Sequence, residues 1–177
     1  MKWWVKIIIA VMAMMILYVS FVMASLDRVI DDETFDRLRK IQISYTNTKN
    51  EEQCYKLPES NVLPNNLFYP IKELRDNLWV YFSKDDINKL KILLLIRDKK
   101  IEEVLLLQEN NSDKKMIEKQ IEKIEKMSDR LDNEFVILDK RRPESKEVQK
   151  RIERANEFYK FIYEKFLNKE KIEKCYE

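Results

Sequence analysis

Glycine and histidine are both absent from this chain of 177 residues. An average chain of this length would carry about a dozen glycines. Without them there is no phosphate-cradling loop, which excludes the P-loop and the dinucleotide fingerprint. The usual residue of tight hairpin turns is missing too, and this argues against an antiparallel β fold. Without histidine there is no Ser-His-Asp triad, no Cys-His pair, no HExxH zinc site and no di-iron Glu-x-x-His site. An excess of one charge is lacking as well. The formal net charge is +2, and Lys2 and Lys6 stand in the leader, so the body is neutral by count. A neutral body has no basic face for displacing counterions, and no nucleic-acid partner is expected.

What the chain does have begins with a long apolar run, Ile7 to Ala24, in which Ser20 is the one clearly polar residue. At ~1.5 Å of rise per residue it approaches the thickness of a bilayer core. Trp3, Trp4 and Tyr18 are aromatics of the kind that sit at membrane interfaces. Lys2, Lys6 and the terminal amine lie on the short side of the run, which orients the N-terminus to the cytoplasm and the body outside. Val22-Met23-Ala24 before Ser25 is also an acceptable cleavage pattern. Two readings follow: a single-pass anchor held in lipid through residues 7–24, or a protein secreted after cleavage behind Ala24.

The body reads as helices. Residues 26–53 are strongly charged and are expected to form a juxtamembrane helix, in part an outward continuation of the leader, that ends in a linker at Thr46–Asn50. Residues 54–66 hold two prolines and read as an extended or turning segment. Pro70 suits a first helical turn. Ile71, Leu74, Leu78 and Tyr81 then recur at spacings of three and four, the core stripe of an amphipathic helix. Ser83, with Asp86 in place of the usual Glu, is a candidate capping box. A second helix over about 85–109 places Leu90, Leu93, Leu94, Ile101, Val104 and Leu105 inside, and Asn110-Asn111 ends it where glycine would usually stand. A third, capped by Ser112 and closed by Pro143, carries Ile117, Ile121, Ile124, Leu131, Phe135 and Leu138, with Ser128 in the one unfilled seam position. A fourth carries Val148, Ile152, Ala155, Tyr159, Ile162 and Phe166. The expected fold is all-α: an N-terminal transmembrane or signal helix, then an antiparallel bundle or coiled-coil hairpin of three to four helices. Segment boundaries fall at 1–25, 26–53 and 54–177.

Cys54 and Cys175 are the only cysteines. Outside the cytoplasm an even pair suggests a disulfide; two independent thiols are the alternative. No spacing points to a metal or cofactor site. The acid pairs Asp31-Asp32 and Glu102-Glu103 read as solvated faces, and Asp85-Asp86 as a helix start favoured by the dipole. The last helix carries more aromatics than one stripe needs. Phe158, Phe161 and Tyr163 are the candidate surface for a protein partner or for self-association.

Leu63-Pro64, then Tyr69-Pro70-Ile71-Lys72, then Lys100-Ile101-Glu102-Glu103 form a series of short motifs. Over residues 57–109 the chain resembles an uncharacterised helical domain family of exported or membrane-anchored bacterial proteins. The resemblance implies extracytoplasmic placement and brings no catalytic residues. In physical terms Pro70 pre-sets the helix, and Leu63 and Tyr69 are expected to pin the proline-rich segment to the bundle by packing. The function expected is a non-enzymatic interaction or scaffold module, with a ligand-binding sensory domain as the alternative.

Overall fold

A computed structural model describes residues 3–30, 38–83, 85–137, 143–168, 170 and 172–175, and within these not the side chains of residues 23, 25–30, 137, 143 and 144. Lys2, Asp31, Asp32 and Leu138, named above, lie outside the described residues. The elements are α1 (Trp3–Ile30), β1 (Arg39–Thr46), β2 (Glu52–Pro58), α2 (Tyr69–Phe82), α3 (Asp86–Glu109), α4 (Lys114–Ile137) and α5 (Pro143–Asn168). The protein is mostly helical, and a two-stranded sheet corrects the all-α expectation.

That sheet is a hairpin where a charged helix and linker were expected. Ile43 and Tyr45 alternate inward on β1, Tyr55 and Leu57 on β2, and the strands pair antiparallel with Ser44 opposite Cys54. The hairpin therefore crosses the boundary drawn at residue 53. Its turn works without glycine. Asn50 takes the left-handed conformation at φ 61°, which Asn tolerates best among the other residues. The Asn47 side-chain oxygen accepts from the amides of Lys49 and Glu51, both at 2.9 Å, an Asx-type turn.

The helices fall close to their expected bounds. Asp85, rather than Ser83, caps α3 by accepting from the Asn88 amide. The Asp113 side chain, rather than Ser112, accepts from the Lys115 amide at the start of α4. Asn111 ends the α3 turn at φ 50°. Pro143 opens α5. α3 is the central helix. Its buried residues run from Ile92 through Asp98 and again from Lys100 through Val104, on every face, as befits a helix surrounded by neighbours. α2, α4, α5 and β2 pack around it.

α1 holds a helix long and apolar enough to cross a membrane, Trp3–Val22. It ends against the body. Val22 is fully buried, Tyr18 packs beside it, and the Trp79 indole N–H donates to the Val22 carbonyl at 3.2 Å.

Candidate functional site

The Tyr-Pro-x-Lys and Lys-Ile-Glu-Glu segments meet inside the protein, held by polar bonds where apolar packing was expected. Pro70 starts α2 and sets Tyr69 and Lys72 on the side facing α3. The Tyr69 hydroxyl donates to Glu103 Oε2 at 2.7 Å and lies 3.2 Å from Gln120 Oε1 on α4. The Lys72 ammonium pairs with Glu103 Oε1 and donates to Ser60 Oγ at 2.8 Å. Glu73 receives Lys100 at 3.3 Å and Lys123 at 2.5 Å. Burial opposes ionisation of Glu73, but these hydrogen bonds and charges hold its pKa below the ordinary value. Burial, with the Glu103 charge next, drives the Tyr69 phenol far above its usual range, so it stays a proton donor to Glu103. The partners are neighbouring side chains and, for Lys72, also the Val62 carbonyl at 3.4 Å, which makes this a clamp joining α2, α3, α4 and the segment before α2. Leu63 and Pro64 are half-buried beside it.

Glu102 and Glu103 are thus not a solvated pair; they are 2% and 0% exposed. The sequence signal for this was present, since apolar residues circle α3 on all faces over this stretch and leave no wet side.

A second buried network ties the hairpin to the bundle. Asp98 is fully buried and accepts from Arg39 Nη2 and from the Tyr55 hydroxyl, both at 2.8 Å. Burial raises the Asp98 pKa despite the opposing charges of Arg39 and Arg97. Arg97 Nη1 donates to Asn156 on α5 at 2.6 Å.

The aromatic surplus of α5 is spent on the hairpin. Phe158 is fully buried, stacked on Tyr55 with centroids 4.3 Å apart and edge-on to Tyr45 at 5.5 Å. Phe161 leans on Tyr45, and Tyr163 is half-buried near Tyr159. Phe158 therefore forms no free partner surface: the second face of α5 is covered by strands the sequence reading did not contain.

The free apolar surface lies on α2 instead. Its buried residues are Tyr69, Asp76, Trp79 and Val80. On the opposite side Ile71 and Leu74 are each 52% exposed and Tyr81 79%, with Leu67 just ahead of the helix at 87%. Of the stripe expected to face the core, Ile71, Leu74 and Tyr81 face outward, while Leu78 packs partly against the core. The physical reason is α3, whose Glu103 and Lys100 bond Tyr69, Lys72 and Glu73 of α2 and so turn that side of the helix inward, together with Trp79 and Val80. Burial lowers the Lys99 pKa to about 8, and its ammonium lies over the Trp79 ring at 5.4 Å.

Cys54 and Cys175 are joined in a disulfide. It fixes residues 172–175 along β1, where the Ser44 amide donates to the Glu173 carbonyl and the Cys175 amide to the Gln42 carbonyl, both at 3.1 Å. Beside this tail opens a cleft of about 660 Å³. No group of acidic or cysteine side chains suited to a metal ion occurs among the described residues.

These features define a class: a helical domain clamped around one central helix, bearing an apolar helix of membrane length. The sequence model of a family described as a domain of unknown function, DUF5667, matches residues 61–165, more than half of the chain. The protein belongs to that family. No curated protein and no solved structure matches the chain.

Proposed function

We propose that the protein is a non-enzymatic, membrane-anchored module whose body stands outside the cytoplasm and associates through α2, first of all with a second copy of itself. The observation that carries the reading is the exposed stripe Leu67, Ile71, Leu74 and Tyr81. With Leu78 it runs at spacings of four, three, four and three, the seam of a two-helix contact. Copies anchored in one membrane present this stripe from the same side, as an isologous pair requires. The disulfide supports an oxidising compartment, and the lysines ahead of the apolar run support the outward orientation.

A photo-crosslinking residue placed at Leu74 in the full chain, in native membranes, tests this. A crosslink to a second copy is the expected result, weakened at least tenfold by Ile71→Asp. A crosslink to a different protein replaces self-association with a distinct partner. A crosslink to lipid alone, or none, overturns the reading.

A second reading, a sensory domain that answers a small ligand, is favoured by the cleft beside the tail.

A further inference from the structure

The cleft is walled by apolar side chains from four parts of the chain: Ile41 and Ile43 of β1, Leu105 and Leu106 of α3, Ile117 of α4 and Ile172 of the tail. Its volume, about 660 Å³, lies within the ~300–1,000 Å³ usual for small-molecule sites. Three carboxylates, Glu102, Glu109 and Glu170, and one ammonium, Lys174, also line it. Two of the carboxylates already hold a cation, since Glu109 pairs with Lys174 at 3.0 Å and Glu170 with Lys165. Glu102 does not. One of its oxygens accepts from the Ser60 amide at 3.0 Å. No other hydrogen bond or ion pair engages its carboxyl among the described residues, although its residue is 98% buried in the cleft wall. A carboxyl that is bonded through one oxygen and lines an apolar cavity is placed to pair with a cation entering that cavity.

We propose that this cleft binds a small organic cation, a primary amine on an apolar body, whose ammonium pairs with Glu102 while the body packs against the isoleucines and leucines. A carboxylate ligand would face Glu102 without an answering cation, since Lys174, which also lines the cleft, is already paired with Glu109. A purely apolar ligand would leave Glu102 as it is. The proposal uses neither α2 nor self-association, so it stands or falls separately from the function proposed above.

The surroundings give it a pH signature. Burial raises the Glu102 pKa to about 7; the Ser60 amide opposes this, and the Glu103 charge adds to it. Lys72 from α2 and Glu59 behind β2 also act on it, the first lowering and the second raising. An amine that pairs with the ionised carboxyl must displace this proton, so its affinity rises as pH rises through 7.

The test uses the full chain in phosphatidylcholine nanodiscs, with 4-fluorophenethylamine as probe followed by fluorine NMR and empty nanodiscs as blank. Saturable binding is expected, strengthening about fivefold to tenfold between pH 6 and pH 8. Glu102→Gln should weaken it at least tenfold. So should Leu106→Trp, which fills the cleft without touching the carboxyl. Circular dichroism checks that both variants are folded. Equal binding by 3-(4-fluorophenyl)propionate would overturn the proposal. Unchanged binding in either folded variant, or no saturable binding by the wild type, would do the same.

Discussion

Glu102 and Glu103 are neighbours on one helix, and burial leads them to different ends. Glu103 is answered by Lys72 and Tyr69. Removing one partner leaves the other charge uncompensated in the interior. Lys72→Met should therefore cost about 3–5 kcal/mol in urea unfolding at neutral pH, and Tyr69→Phe about 1–3 kcal/mol. Glu102 lacks a cation, and its pKa is raised from the ordinary 4.5 to about 7. The folded state thus holds this proton more tightly than the unfolded chain does. Its contribution to stability is full below pH 4.5 and is lost as pH rises through 7. Glu102→Gln cannot ionise, so at pH 8 it should be more stable than the wild type by on the order of 1–2 kcal/mol, with the difference vanishing near pH 4.5. Thermal melts at the two pH values decide this. The sequence showed these glutamates as an ordinary acid pair, because charge pattern alone does not reveal which face of a helix is covered.

Among the elements, the helices were legible and the hairpin was not. Period-four-and-three spacing over twenty residues leaves little choice of structure, and α3 and α4 fall where it put them. β1 offers only a short alternation, Ile41, Ile43, Tyr45, and its turn uses asparagines in place of glycine. The hairpin is what gives the aromatics of α5 their partner, whereas the outward stripe of α2 follows from the polar bonds between α2 and α3. One substitution measures how firmly the hairpin is held. Phe158→Ala removes the ring stacked on Tyr55 and should cost about 3–5 kcal/mol. Tyr163→Ala, at a half-buried position, should cost about 1 kcal/mol or less. If the two variants unfold alike in denaturant, the stacking is not what fastens the hairpin.

For the whole molecule, the apolar first helix and the cysteine pair were the features the sequence displayed best, since both follow from residue type rather than from packing. Their spatial use was hidden. The disulfide closes a long loop, with Cys54 and Cys175 separated by 121 in sequence. By the chain-entropy argument it contributes roughly 4–5 kcal/mol. Cys54→Ser with Cys175→Ser should lose most of that. It should also speed amide exchange at Ser44 and Cys175-position backbone groups, which pair along β1. Unchanged exchange there would mean the tail holds its place without the bond.

The stacking of Phe158 on Tyr55 carries a consequence for manufacture. The two residues are 103 positions apart. At a synthesis rate of about 5–20 residues per second, the hairpin exists for about 5–20 s before its partner ring has been made. Through that interval Tyr45, Tyr55 and Leu57 face water on a strand pair too small to stand alone, and Cys54 has no correct thiol to meet. The nascent chain is therefore most open to aggregation and to wrong pairing at its earliest folded-looking stage. A holding chaperone would act on residues 39–58, and its need would end when α5 emerges.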